Sequence, residues 1–178
     1  MACTQTLAGI SRDCLRNVGG IRTVWIANYA DIDSMDYIED GLFSSPNMVV
    51  GKVFFEYQFA RGAASLSSTY QVNAENGTKY VQNDLVLTFN RMDTTKRKAI
   101  LALLGAELVI VAEDNNGNRW VLGANHQGPN FGPAVVGADS DADGLTGTAY
   151  ADRNGYSVTF HWVSPEMPWG MYGTPPTA

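Results

Sequence analysis

Cysteine is scarce in this chain: Cys3 and Cys14 are the only two in 178 residues, both ahead of the first predicted strand. With no CxxC pair and no Cys/His cluster, neither a zinc site nor a disulfide scaffold is expected. Free thiols are the expectation, and an N-terminal disulfide is the alternative. Histidine is as rare. His126 sits in a loop and His161 in a strand, and neither has a carboxylate, a cysteine or a second histidine at ligand or relay spacing. No G-x-S-x-G, P-loop or HExxH motif occurs, so no enzyme activity and no cofactor are expected. No apolar stretch approaches the roughly 20 residues of a membrane span, and no secretory signal is visible. A soluble chain, left in the cytoplasm in which it is made, is expected. Charge is thin as well, at 17% of residues with a net charge of -6, and no basic run exceeds Lys96-Arg97-Lys98. Affinity for a nucleic-acid backbone comes from clustered cations, which are missing here.

What is present is a β pattern. At this length one domain with a substantial core is expected, and Ser, Thr, Asn, Gln and Gly are plentiful. The organising stretch runs from Thr78 to Leu122. Leu85, Leu87 and Phe89 alternate with Val86 and Thr88, the period of a strand with one apolar face. Asp93 is a good N-cap for a helix over 93–104, in which Ala99, Ile100, Leu103 and Leu104 share a face and Gly105 terminates the run. Leu108 to Val111 is a continuous apolar strand, and Asn116-Gly117 turns the chain into Arg119-Trp120-Val121-Leu122.

The remaining segments read as follows. Residues 1–20 form a polar arm, and Ile21 to Tyr29 is the first strand. Residues 31–40 carry five acids and read as a short strand or a loop. Met48 to Ala60 is predicted to be the longest strand. Ala63 to Asn73 alternates, with Ser65, Ser67, Thr69 and Gln71 on one face, and pairs through Asn76-Gly77 with the strand that follows. Residues 123–147 are a Gly/Pro-rich loop, too long for a plain connection. Residues 145–151 and 156–163 form the last hairpin, and the proline-rich tail, residues 164–178, is not expected to extend a sheet. The fold class is mainly β: a two-sheet antiparallel sandwich or barrel with one flanking helix.

Two constellations invite chemistry. Asp139-Ser140-Asp141-Ala142-Asp143-Gly144 matches the first half of a calcium loop, in which oxygens at alternate positions converge. Tyr150 stands where the bidentate Glu is needed, so a solvated acidic loop tip is the expectation and calcium at Asp139, Asp141 and Asp143 the alternative. Trp25, Trp120, Trp162 and Trp169 suggest a carbohydrate platform, yet three of the four have strand spacing and read as core or interface.

Several segments resemble the tail-tube structural proteins of tailed bacteriophages. They are Cys14 to Tyr29, Phe55 to Leu66 (Phe55-Glu56-Tyr57-Gln58-Phe59-Ala60-Arg61-Gly62), Asn76 to Arg97 (ending Phe89-Asn90-Arg91-Met92-Asp93-Thr94-Thr95-Lys96-Arg97), Val111 to Gly123 and Gly147 to Phe160. The resemblance implies rings, hexameric in the family, that stack head to tail into a tube through which DNA passes without specific binding. It implies a homo-oligomer that meets other phage tail proteins, in a virion assembled in the host cytoplasm. On this expectation Ser65, Ser67, Thr69, Gln71, Gln82 and Asp84 face the lumen, and Phe54, Trp120 and Trp169 lie between subunits. A segment at about 128–143 departs from the family and is expected to decorate the outside. The rivals are a tail terminator, a distal-tail ring and a calcium-dependent carbohydrate-binding module.

Overall fold

The computed structural model describes residues 9–10, 15, 17–38, 41–124 and 138–177. Cys3, Cys14, His126 and most of the Gly/Pro-rich loop lie outside the described residues. The chain is mainly β, with twelve strands among the described residues and one α-helix. In order they are β1 (Ile21–Asn28), β2 (Ile32–Ser34), β3 (Leu42–Phe43), β4 (Asn47–Met48), β5 (Phe55–Tyr57), β6 (Ala64–Asn73), β7 (Thr78–Asn90), α1 (Thr94–Leu103), β8 (Leu108–Asp114), β9 (Arg119–Leu122), β10 (Asp139–Leu145), β11 (Gly155–Ser164) and β12 (Trp169–Met171).

Two sheets face each other. One runs β3-β12-β9-β8-β1-β5 and the other β10-β11-β7-β6, with β2 and β4 forming a small ribbon. All pairings are antiparallel except β12 with β3. Ile26, Leu108 and Ile110 from the first sheet meet Leu85, Leu87, Val158 and Phe160 from the second, all buried. Helix α1 supplies Ile100 and Leu103 to the same core. Its start follows the local chemistry: the Asp93 carboxylate accepts from the Lys96 N–H at 2.7 Å, and Gly105 leaves the helix at φ 81°.

β8 is buried from Leu108 to Glu113, because its second face also packs inward. There Val109 and Val111 join Trp25, Met35, Phe43, Phe54, Val121 and Met171 in a second core. The six-stranded sheet is thus covered on both faces, which explains an apolar run with no alternation.

Three expectations fail. The strand predicted over Met48 to Ala60 is broken into β4 and β5 by a turn in which Lys52 N–H donates to the Val49 carbonyl, followed through Gly51 at φ 81°. Aromatic residues alternate on both faces there, so periodicity could not set direction: Phe54 is 1% exposed and Phe55 61%. Phe54 therefore belongs to the core and not to a surface between subunits. The last hairpin begins earlier than predicted. Its first strand is β10, and residues 146–154 form the connection, organised by the Asp152 carboxylate accepting from Thr148 and Ala149 N–H groups at 2.7 Å. Finally, the tail enters a sheet. β12 lies between β3 and β9, and the Pro176 carbonyl accepts from Phe54 N–H. The prolines flank β12 instead of interrupting it.

Candidate functional site

The four-stranded sheet has one face in the core and one outside, and strand parity assigns every residue. The outer face reads in rows across β10, β11, β7 and β6: Asp141, Thr159, Val86 and Ser65, then the Asp139 position, His161, Asp84 and Ser67. Farther along come Val163, Gln82 and Thr69, then Tyr80 and Gln71. Ser65, Ser67 and Thr69 are exposed; Gln71, Gln82 and Asp84 are half-buried. The six residues expected to face a shared space thus share one surface. Among its described positions this face carries carboxylates and one histidine but no Lys or Arg. Such a surface repels a polyanion.

At its centre His161 bridges two strands. Its Nδ1 lies 2.6 Å from Asp84 Oδ1 on β7, and its Nε2 lies 3.2 Å from Asp141 Oδ2 on β10. Gln82 Nε2 donates to the other Asp84 oxygen at 3.2 Å. The hydrogen bond to Asp84 raises the His161 pKa above its ordinary 6.5. Partial burial opposes that rise, while the negative charges of Asp84 and Asp141 reinforce it. Both ring nitrogens are engaged by carboxylates. What the arrangement can do is clasp β10, β11 and β7 together. Local spacing offered no sign of it, since Asp84 lies 77 residues away in sequence. Only the register of β7 against β11 brings the pair together.

The half calcium loop is corrected by the same register. Asp139, Asp141 and Asp143 lie on an extended strand. Alternate residues of a strand are about 6.6 Å apart along it, so this backbone is not the tight turn that a calcium loop needs. Among the described residues no group of three His, Cys, Asp or Glu is placed to hold a metal.

The tryptophans are placed within the chain's own packing. Trp120 is half-buried, its Nε1 3.4 Å from Asp114 Oδ2, beside a cavity of about 240 Å³ shared with residues 17–20 of the arm, Ile21 of β1, and Ser65 and Leu66. Trp169 donates to Glu166 at 2.8 Å, and its ring lies 4.9 Å from Tyr37 and 5.3 Å from Phe43. The arm's end is pinned to the β8–β9 turn: Val18 N–H donates to Asn116 Oδ1, and Asn115 Nδ2 donates to the Gly19 carbonyl.

Among the described residues, two features of this sheet are unfinished within one copy. β6 and β10 are its edges, and β6 presents ten residues with neither a charge nor a proline. Edges of that length are ordinarily guarded by Lys, Pro or bulges. In addition, β11 ends opposite Val81, so the β6–β7 hairpin projects beyond the sandwich. On its inner-parity face Tyr70 is 50% and Val72 58% exposed. A two-stranded ribbon is marginal in water by itself. No helix among the described residues is long and apolar enough to cross a membrane. Comparison with models of protein families, with curated proteins and with solved structures finds no match to this chain.

Proposed function

We propose that this chain is a virion structural protein of the tail-tube type, whose copies form rings that stack into a DNA-conducting cylinder. The observation that carries the reading is the projecting β6–β7 hairpin on an unguarded edge strand. Its apolar Tyr70 and Val72 are left in water in one copy, and the edge of β6 that faces away from β7 has no partner strand among the described residues. A neighbouring copy's sheet supplies both the cover and the partner. The neutral-to-acidic outer face then turns toward the enclosed space, where Ser65, Ser67, Thr69, Gln71, Gln82 and Asp84 let a polyanion pass without holding it.

Trp120 and Trp169, half-buried at the surface, remain the proposed contacts between subunits, together with other tail proteins at the ends of the cylinder. Sedimentation velocity combined with negative-stain microscopy of the purified protein tests the proposal. Long cylinders or stackable rings are the expected result. Rings that never stack indicate a terminator-like role instead, and a monodisperse monomer at millimolar concentration refutes assembly altogether.

A further inference from the structure

Helix α1 carries its charges against its own dipole. Lys96, Arg97 and Lys98 sit at its start, with no acid in the first turn and no base in the last. The N-terminus of a helix is its positive end, where cations are disfavoured. Lys96 is neutralised locally by Asp93 at 3.2 Å and by the carbonyls of Asn90 and Arg91. Arg97 and Lys98 are exposed and form no ion pair among the described residues. Two more cations join them. Arg91, at φ 63°, donates its N–H to the Asn154 carbonyl, which sets exposed Arg153 alongside.

Acids lie beyond the other end of the helix, Glu107 beside it and the others farther along the segment that crosses from β1 toward β3. The chain leaves α1 through Gly105 to exposed Glu107, whose carbonyl accepts from Tyr29 N–H. Beyond Tyr29 come Asp31, paired with Lys52 at 3.0 Å, then exposed Asp33 and Asp36, which have no ion pair among the described residues. Arg97 and Lys98 are the fourth and fifth of the ten helix residues, so the axis runs on about 8–9 Å beyond them before the helix ends.

We propose that these charged ends are the head and tail of a contact between copies of this chain. The cations Arg91, Arg97, Lys98 and Arg153 of one copy meet Asp33, Asp36 and Glu107 of the next. Placement that is unfavourable within the helix becomes favourable between molecules, where opposite potentials orient the encounter and exclude the reversed arrangement. A contact of this kind is heterologous and propagates without closing. The inference rests on the tube reading and deepens it by naming the stacking surfaces. A polyanion is the less suitable partner for the cations, because the carboxylates of Asp93 and Asp152 lie among them and the chain as a whole is negative.

The test is charge reversal at each end. Arg97→Glu with Lys98→Glu makes both ends acidic, and Asp33→Lys with Asp36→Lys makes both basic. Each double variant is expected to lose roughly tenfold or more of its pelletable assembly, while the fourfold variant recovers it to within about twofold. The unaltered chain should assemble less well as salt rises from about 50 to about 500 mM, since exposed charges are screened over that range. Double variants that stack like the unaltered chain, or assembly indifferent to salt, overturn the proposal and leave the tube reading intact. Assembly unchanged in Arg97→Glu with Lys98→Glu, with duplex DNA binding lost, assigns the cations to a polyanion and also overturns it. An unaltered chain that stays monomeric at every salt concentration removes both readings.

Discussion

Replacing His161 by Gln isolates the charge of the three-strand clasp, since Gln keeps a donor of similar reach but cannot ionise. The side chain of His161 is 40% exposed, that of Asp84 28% and that of Asp141 83%. The Asp141 link is therefore a surface ion pair of about 0.2–0.5 kcal/mol, and the shorter Asp84 link contributes most of the rest. Discounted for solvent, the protonated clasp stabilises the fold by about 1 kcal/mol. For a domain of this size that corresponds to about 2–4 °C in Tm. The sign follows from the raised pKa of His161 in the folded chain. The stabilisation is fully present below the ordinary value of 6.5 and is lost as pH rises through the folded value. Thermal or urea unfolding of both proteins between about pH 5 and pH 9 should therefore show a gap that is widest at the acidic end and narrows toward the alkaline end. A gap that is constant, or that widens with pH, would refute the clasp.

Other predictions concern the frame around that face. Gly155→Ala places a Cβ 2.0 Å from the Phe89 carbonyl oxygen, so β11 cannot keep its register on β7; a loss of several kcal/mol should appear as a lower urea midpoint. Deleting residues 165–178 removes β12 from between β3 and β9 and uncovers Phe43 and Phe54; the truncated chain should be recovered insoluble, and a soluble product with unaltered near-ultraviolet circular dichroism would contradict the topology. Asp31 and Asp152 have pKa values lowered chiefly by hydrogen bonds from Lys52 and from the Ala149 N–H; for Asp114 burial is the largest single effect and raises the pKa, but the hydrogen bonds from Asn118, Asn116 and Trp120 together outweigh it and the net shift is downward. Their stabilisation is present above the ordinary 3.8 and is lost as pH falls through the folded values, so Asp114→Asn should be less stable than the unaltered chain near neutral pH, with a gap that narrows as pH falls below about 4.

Much of this fold can be read from short-range chemistry. Asp93 and Gly105 bound α1 because capping needs only neighbours in sequence, and the unbroken apolar run of β8 announces a strand covered on both faces. The Asn76-Gly77 hairpin and the alternation of β7 place the polar face correctly for the same reason. What stayed hidden depends on partners far along the chain. Asp139, Asp141 and Asp143 have the period of a strand, but an acidic period-two run looks like a loop until β11 is known to lie beside it. Prolines argue against a strand near 164–178 only if they fall inside it, and β12 has just three residues between them. Phe54 and Phe55 are chemically equivalent, so only the second core, built by residues 29–54 and the tail, decides which turns inward. The Asp84–His161–Asp141 clasp is a product of register alone.

The central claim is that the outer face of the four-stranded sheet becomes the wall of a space shared by several copies. Electron cryomicroscopy of the assembled protein tests it most directly. The account predicts a cylinder in which Ser67, Thr69 and Asp84 of every copy face the channel and β6 pairs with a strand of its neighbour. An assembly with those residues on its outside, or particles that remain single copies with β6 open to water, would contradict it.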